Sequence, residues 1–481
     1  MRSCREMELA TVAVYSDVDR GALHVGSADE AYRLGPGPAT ESYLRGDLIL
    51  DIARQAGADA IHPGYGFLSE NAAFAEACAE AGIIFIGPPA SAMRALGSKT
   101  KARQAADAAG MPRVPGSVTG LSTVDEAVRI ASEIGYPVML KAAAGGGGKG
   151  MRAVYSASEL PGAYVAASSE AERSFGSGEV YLEKLIERPR HIEIQVMADT
   201  HGNCVYLGER ECSVQRRHQK VIEEAPSAVV GEDLRRRMGE AAVRLALSAG
   251  YVNAGTVEFL VDAEENFYFL EMNTRLQVEH PVTEMITGID LVRMQLQVAM
   301  GEPLGLRQEG IHLRGHAVEC RIYAEDPENN FLPSPGLITR LVQPSGPGVR
   351  EDCGVYEGWT VPLDYDPMLS KLVAYGETRE AAIARMLRAL DEYVVGGIRT
   401  NITLFRRILL DEDFRKAQID TGYLERLLAQ PSTDDQAEAS DDVIALAAAL
   451  FVAGKKDTAA VMTNLSESRW AATGRREGLR G

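Results

Sequence analysis

The chain has no run of apolar residues approaching the roughly 20 of a membrane-spanning helix. Its N-terminus also lacks the charged-then-apolar pattern of a secretory signal, so no membrane partner is expected. Nor is there an excess of positive charge. Fifty Lys and Arg face 68 Asp and Glu, a formal charge of −18, which argues against general binding to nucleic acid or anionic membranes. Cysteine is scarce and scattered: Cys4, Cys78, Cys204, Cys212, Cys320 and Cys353 include no Cys-x-x-Cys. They read as reduced thiols of a cytosolic (cytoplasmic) protein, without a structural zinc or catalytic cysteine. Internal repeats are missing too. What is present is 481 residues with 46% hydrophobic content. That is enough for two to four domains of about 100–200 residues each, with ordinary cores.

Residues 10–97 alternate short apolar strands (Ala10–Val14, around Ala60-Ile61, Ile83–Ile86) with helices (Leu48–Ala56, Asn71–Ala81), the pattern of βαβ units and a parallel sheet. Further helices are expected at Ser98–Ala109, Thr123–Ile134, Pro161–Ala171, Asp233–Ala249 and Arg379–Tyr393. Thr123 and Glu126 have capping-box spacing. Strands are expected at Tyr136–Leu140, Val180–Glu183 and His191–Val196, and residues 311–375 are rich in β and turn signals. Gln430–Asp442 is acidic and Ser-rich, the best linker candidate.

The densest chemistry lies in Glu271-Met-Asn-Thr-Arg-Leu-Gln-Val-Glu-His-Pro281. Read as a strand, it puts Glu271, Asn273, Arg275, Gln277 and Glu279 on one face and Met272, Thr274, Leu276 and Val278 on the other. A polar face of that composition suits a divalent cation, an anion and a base held side by side. Thr256–Val261 also alternates, with Glu258 opposite in direction to Phe259. An even-length hairpin loop centred between Glu264 and Glu265 sets Glu258 across from Glu271. Two facing carboxylates repel unless a cation lies between them, and Mg²⁺ or Mn²⁺ prefers such oxygen ligands.

Lys141-Ala-Ala-Ala-Gly-Gly-Gly-Gly-Lys-Gly150 is a second signal, because glycines let backbone N–H groups approach phosphates closely. Met151–Tyr155 reads as a strand, not the helix that a Rossmann fingerprint requires, and Gly150 after Lys149 excludes a Walker loop. A strand–glycine loop–strand is a flap able to close over a nucleotide. Arg216, Arg217, His218 and Lys220 form a basic cluster suited to an anion. His62–Glu70 is a glycine-interrupted loop after a strand, where a βα crevice lies.

Taken together, His62–Asn71, the glycine flap, Arg190–Gln195, Gln215–Lys220, Glu271–Glu284, Glu319–Ile322, Phe331–Gly336, Tyr365–Lys371 and Gly397–Ile402 resemble the biotin carboxylases of the ATP-grasp superfamily, from about residue 2 to 428. The resemblance implies a multidomain α/β and α+β fold. Its parts would be a parallel α/β N-terminal domain (1–97), an ATP-grasp domain (98–310) with a mobile glycine-flap subdomain (about 117–186), a β-rich C-terminal domain (311–428), and an acidic linker and tail (429–481). It implies formation of carboxyphosphate from ATP and bicarbonate, then carboxylation of biotin on a carrier protein. This is the first half-reaction of an acyl-CoA carboxylase such as those of acetyl-CoA (fatty acid biosynthesis) or propionyl-CoA.

By match, Lys99 and Lys141 would contact ATP phosphates beneath Gly147 and Gly148. Glu183, Lys184, Leu185 and Ile186 would line the adenine pocket, and His191 and His218 would hold the nucleotide. Glu258, Glu271 and Asn273 would bind the metal, with both glutamates also facing ATP. Lys220, Arg275, Gln277 and Val278 would hold bicarbonate. Glu279 would be the base, Arg275 would stabilise the biotin enolate, and Arg321 would hold biotin and phosphate. Partners implied are a biotin carboxyl carrier protein, a carboxyltransferase subunit and a second copy of the chain as homodimer.

Members of this family begin with a strand and an Asn-Arg-Gly-Glu-Ile-Ala loop, whereas this sequence opens inside the following helix. The expectation is therefore an N-terminal domain without its first strand, from a misassigned start or a truncation. No Met-Lys-Met biotinylation site occurs, so the carrier is expected on a separate chain or beyond residue 481. The tail from Ser468 is similar to the region following the carboxylase in longer acyl-CoA carboxylase α-subunits. Two other readings are a different ATP-grasp carboxylate–amine ligase and a non-catalytic subunit.

Overall fold

In the computed structural model the described residues are 1–97, 99–117, 120–142, 151–431 and 449; of Lys99, Thr100 and Phe175 only the backbone is described. The expected glycine flap, with Gly147 and Gly148, and all of the expected linker and tail except residues 429–431 and 449, lie outside them. Residues 1–425 form one compact unit, which contains everything described below.

The parallel sheet expected near the N-terminus is present as two separate parallel pairs. β1 (Val12–Ser16) pairs with β2 (Glu30–Gly35), and β3 (Ala60–Ile61) pairs with β4 (Ile84–Phe85). The helices between them lie where the periodicity predicts, at Gly46–Ala56 and Ala72–Glu80. They bury Leu50, Ala53, Phe74 and Cys78 against Ile83, and the Asn71 side chain caps the second helix at the Phe74 N–H (3.0 Å).

A smaller three-stranded layer consists of β5 (Val138–Ala142), flanked by β6 (Arg152–Val154) and β7 (Val180–Lys184), all antiparallel. Helices Val124–Ile134 and Leu160–Phe175 close one face over Val138, Leu140 and Leu182. Thr123 caps the first as predicted, while the Glu126 carboxylate accepts from the Ser122 N–H, one residue earlier than a capping box requires.

The large element is an eight-stranded antiparallel sheet. It contains β8 (Arg190–Ala198), β9 (Cys204–Arg216), β10 (Gln219–Ala225), β11 (Asn253–Val261), β12 (Phe267–Asn273) and β13 (His316–Tyr323) in the order β12-β11-β8-β9-β10-β13, and strands Met368–Gly376 and Val349–Cys353 extend it. Ile192, Ile194, Val257 and Phe259 lie on one face under helix Glu232–Ser248, which contributes Leu234, Met238, Ala241, Ala242 and Leu245. Those helical positions recur at three- to four-residue spacing, so one stripe meets the sheet. Each buried Leu or Met there contributes about 1.5–3 kcal/mol.

The other face is covered too. Helix His280–Thr287 sets Val282 and Ile286 on Ala225, Ala317 and Val373. With both faces covered, the alternating charged residues of β8 to β13 cannot reach solvent. They build the site.

Candidate active site

Glu258 and Glu271 are directly paired across β11 and β12, as the sequence predicts, but by a different route. The connecting loop Asp262–Asn266 has five residues, not an even number, and Val261 pairs with Phe267. A bulge at Leu270, between the pairs Glu258–Glu271 and Phe259–Phe269, restores the expected register. Glu258 also pairs with Glu193 on β8, and Glu193 with Arg210 on β9. A row of charge thus crosses four strands.

The strand expected through Glu279 ends at Asn273. Residues 274–279 turn into helix His280–Thr287, where Pro281 suits the first turn because its missing N–H would have no helical partner there. This turn is what aims Arg275, Gln277 and Glu279 into one cavity. The Glu70 carboxylate pins it, accepting from the Thr274 N–H (2.8 Å) and from Arg275 Nε (3.1 Å). The loop His62–Glu70 therefore does serve the site, with the Tyr65 ring 5.6 Å from Lys371 Nζ.

The cavity measures about 880 Å³ and brings together Lys141, Glu183 to Ile186, His191, His218, Lys220, Glu258, Glu271, Asn273, Arg275, Gln277, Val278, Glu279 and Arg321. Of the predicted site residues, Lys99 opens helix Lys99–Ala108 but its side chain is not described. Lys141 Nζ donates to Glu183 (2.6 Å), which Arg103 also contacts. Lys184 turns its ammonium to the carbonyls of Gly135 and Tyr136 (3.0 and 2.9 Å), and the Leu185 N–H donates to the Pro137 carbonyl. Arg216, expected in the anion cluster, instead stacks on the Phe331 ring at 3.7 Å. Arg217 and His218 make the β9–β10 turn with φ of 49° and 66°, an uncommon conformation for side-chain-bearing residues.

Lys220 is the hub. Its Nζ donates to Glu193 (2.5 Å), Glu279 (2.6 Å) and Glu258 (3.0 Å). Burial alone would lower its pKa, but the three carboxylates push it well above the ordinary value. Burial alone would raise Glu258, but Lys220 and His191 hold its carboxyl well below the usual range. His191 Nε2 lies 3.0 Å from Glu258, and that charge outweighs burial and raises the imidazole. Glu279 is likewise held low against its burial by Lys220, Arg321 and Arg210, and Arg321 donates to its other oxygen (2.9 Å).

Glu258, Glu271 and Asn273 offer two carboxylates and an amide, hard oxygen donors that fit Mg²⁺ or Mn²⁺. The Asn273 amide nitrogen donates to Glu258 (2.9 Å) and its oxygen accepts from Arg275 (2.9 Å), joining the carboxylate pair to the arginine. His191, Glu193 and Glu258 also cluster closely enough for a metal, but the Lys220 ammonium already occupies the charge of that group.

Sequence reasoning gave no role to Arg210 or Glu193. Arg210 is fully buried and donates to Glu193, Gln195 (2.7 Å), Gln277 (3.0 Å), Thr283 (3.0 Å) and Thr256 (3.1 Å). From β9 it ties β8 and β11 to the 274–279 turn and to helix His280–Thr287. The signal was a lone Arg between two Glu in a strand, which reads equally well as a solvated edge.

The chain matches three families: the biotin carboxylase N-terminal domain over residues 1–93, the ATP-binding domain of the carbamoyl-phosphate synthase L chain over 98–307, and the biotin carboxylase C-terminal domain over 319–426. It is 53% identical to the biotin carboxylase of Halalkalibacterium halodurans over 424 residues, covering 88% of this chain and 94% of that one. It is 50% identical to the mitochondrial propionyl-CoA carboxylase alpha chain of Sus scrofa over 462 residues, covering 95% of this chain and 63% of that one. The crystal structure of a biotin carboxylase–βγ-ATP complex from Campylobacter jejuni superposes with a TM-score of 0.84 at 49% identity, covering 88% of this chain and 95% of that one. The biotin carboxylase domain dimer of Hydrogenobacter thermophilus 2-oxoglutarate carboxylase, in complex with MgADP, ADP and bicarbonate, gives 0.83 at 46% identity, covering 90% and 96%. On this similarity through all three domains, the chain belongs to the biotin carboxylase family.

Proposed function

We propose that this chain carboxylates biotin borne on a carrier protein, using ATP and bicarbonate through carboxyphosphate, as the first half-reaction of an acyl-CoA or 2-oxo acid carboxylase. The observation that carries the reading is the convergence of Lys220, Arg275, Gln277, Glu279 and Arg321 beside the Glu258–Glu271 pair in one cavity. A ligase joining a carboxylate to an amine would need the metal pair and flap but not this cluster of cations around a base.

Bicarbonate entering beside Lys220 and Arg275 takes hydrogen bonds that Glu279 now holds. Freed from part of that stabilisation, Glu279 becomes basic enough to accept the bicarbonate proton. A bicarbonate oxygen then attacks the γ-phosphorus while the bond to ADP breaks, and Lys141 with the cations around the cavity offsets the moving charge. A divalent ion held by Glu258, Glu271 and Asn273 would neutralise phosphate oxygens and fix their orientation. Carboxyphosphate yields CO₂ and phosphate; the phosphate takes the N1′ proton, Arg275 stabilises the ureido enolate, and N1′ bonds to CO₂. Arginine suits this role because it stays charged and offers a planar fork.

The domain division given above, residence in the cytosol, assembly as a homodimer, and work with a carrier and a carboxyltransferase on acetyl-CoA or propionyl-CoA belong to the same proposal. Among the described residues no helix is long and apolar enough to cross a membrane. The test is ADP release by the full chain with MgATP. Bicarbonate dependence and stimulation by free biotin are expected, and turnover that needs an amino acid instead would overturn the assignment.

A further inference from the structure

Behind Arg321 and Glu279 lie two acids that the mechanism above does not use. Glu223 on β10 and Glu319 on β13 are directly paired in the sheet, and both are fully buried. Directly opposite residues on neighbouring strands have Cβ atoms about 4.5–5.5 Å apart, so the two carboxyls share one small space. One Glu223 oxygen accepts from Arg321 Nε (2.6 Å). Its other oxygen and both oxygens of Glu319 are buried with no hydrogen-bond partner among the described residues. Two ionised carboxylates cannot be left so, because each would forfeit its hydration and repel the other.

We propose that Glu223 and Glu319 hold one proton between them as a coupled pair, and that the pair positions Arg321, and through it Glu279, for the reaction. This rests on the roles given above to Arg321 and Glu279. Arg321 is shared between Glu223 (2.6 Å) and Glu279 (2.9 Å). When the pair carries a full negative charge on Glu223, Arg321 is drawn back and Glu279 is the freer base. When Glu223 is protonated, Arg321 leans on Glu279 and quenches it.

The groups facing the pair come from every neighbouring element. They are Lys220 on β10, Cys212 on β9, Arg321 and Cys320 on β13, Lys371 on the next strand, and Glu279 at the start of the covering helix. Burial, partly offset by Arg321, pushes Glu223 up to about 7. Burial takes Glu319 well above its ordinary value, with Lys371 only partly opposing. Glu319 is thus the resident of the proton, and Glu223 changes charge near neutrality.

Two measurements on the full chain test this. The infrared spectrum of the wild type at pH 8, where exposed carboxyls are ionised, is expected to retain the band of one protonated carboxyl, and Glu319→Gln is expected to lose it. Absence of that band in the wild type overturns the pair regardless of any activity. Glu223→Gln is expected to lower kcat for bicarbonate-dependent ATP cleavage about tenfold, the worth of one charge-assisted hydrogen bond, with KM for bicarbonate little changed. It should also remove an inflection near pH 7 from the rate profile, with the thermal shift caused by MgATP retained. A Glu223→Gln protein with the wild-type kcat and pH profile overturns the positioning role. If the wild type shows no bicarbonate-dependent ATP cleavage, the reading of function fails while the infrared band still decides the pair.

Discussion

Lys220 and Glu279 meet at 2.6 Å inside the cavity. On the roles proposed above, the base is held silent by the cation that would bind its substrate. Glu279→Gln is therefore expected to lower bicarbonate-dependent ATP cleavage by about 10²-fold or more, the usual worth of a positioned base. Nucleotide affinity should change little. Rates of ADP release with and without bicarbonate check this, and a wild-type rate excludes Glu279 as the base.

Arg275 links three parts of the site: Glu70 at 3.1 Å, Asn273 at 2.9 Å and the anion cavity. Arg275→Ala is expected to abolish carboxylation of free biotin while leaving the MgATP thermal shift largely intact. Glu70→Gln, which keeps the shape of the clamp but weakens its hold on Thr274 and Arg275, should reduce the same reaction by about tenfold. Biotin carboxylation followed by labelled bicarbonate distinguishes them. Undiminished activity in Arg275→Ala removes it from the mechanism.

The Glu258–Glu271 pair was legible in the sequence because hairpin register is set by loop length, and a five-residue loop plus one bulge gives the same partner as an even loop. The far end of the same stretch was not. Alternation continues on paper to Glu279, but helix formation from His280 captures the chain after Asn273. Glu193, Arg210, Glu223 and Glu319 were missed for one reason. Alternating Glu with Ile or Val reads as a strand with one wet face, and only the later helix His280–Thr287 covers that face. Two-sided burial of an antiparallel strand is a property of the partner elements, not of the strand's own period.

Metal dependence should follow Glu271, the carboxylate that faces Glu258 across β11 and β12 at the cavity wall. Glu271→Gln removes one charge from the oxygen set and is expected to raise the Mg²⁺ concentration needed for half-maximal ATP cleavage by about tenfold. A titration of Mg²⁺ at fixed ATP measures it. An unchanged midpoint refutes the paired-carboxylate site.

The outer face of β10 gives a prediction about acid stability. Glu224 accepts from Arg379 Nε (2.6 Å) and lies 2.8 Å from His316 Nε2. Burial opposes its ionisation, but those two partners bring its carboxyl down to about 2 from an ordinary 4.5. Because the folded value lies below the unfolded one, the stabilisation is complete above about pH 4.5 and is lost as pH falls toward 2. Glu223 acts with the opposite sign: its value of about 7 gives stability that is present at low pH and lost as pH rises through 7. Glu224→Gln leaves Arg379 nearly buried without its charge, which costs about 3–5 kcal/mol at neutral pH. That deficit should shrink steadily below pH 4.5, as the wild-type carboxylate is itself neutralised. Urea midpoints of both proteins between pH 3 and 7 read the convergence, and parallel curves would show that Glu224 is not ionised in the folded chain.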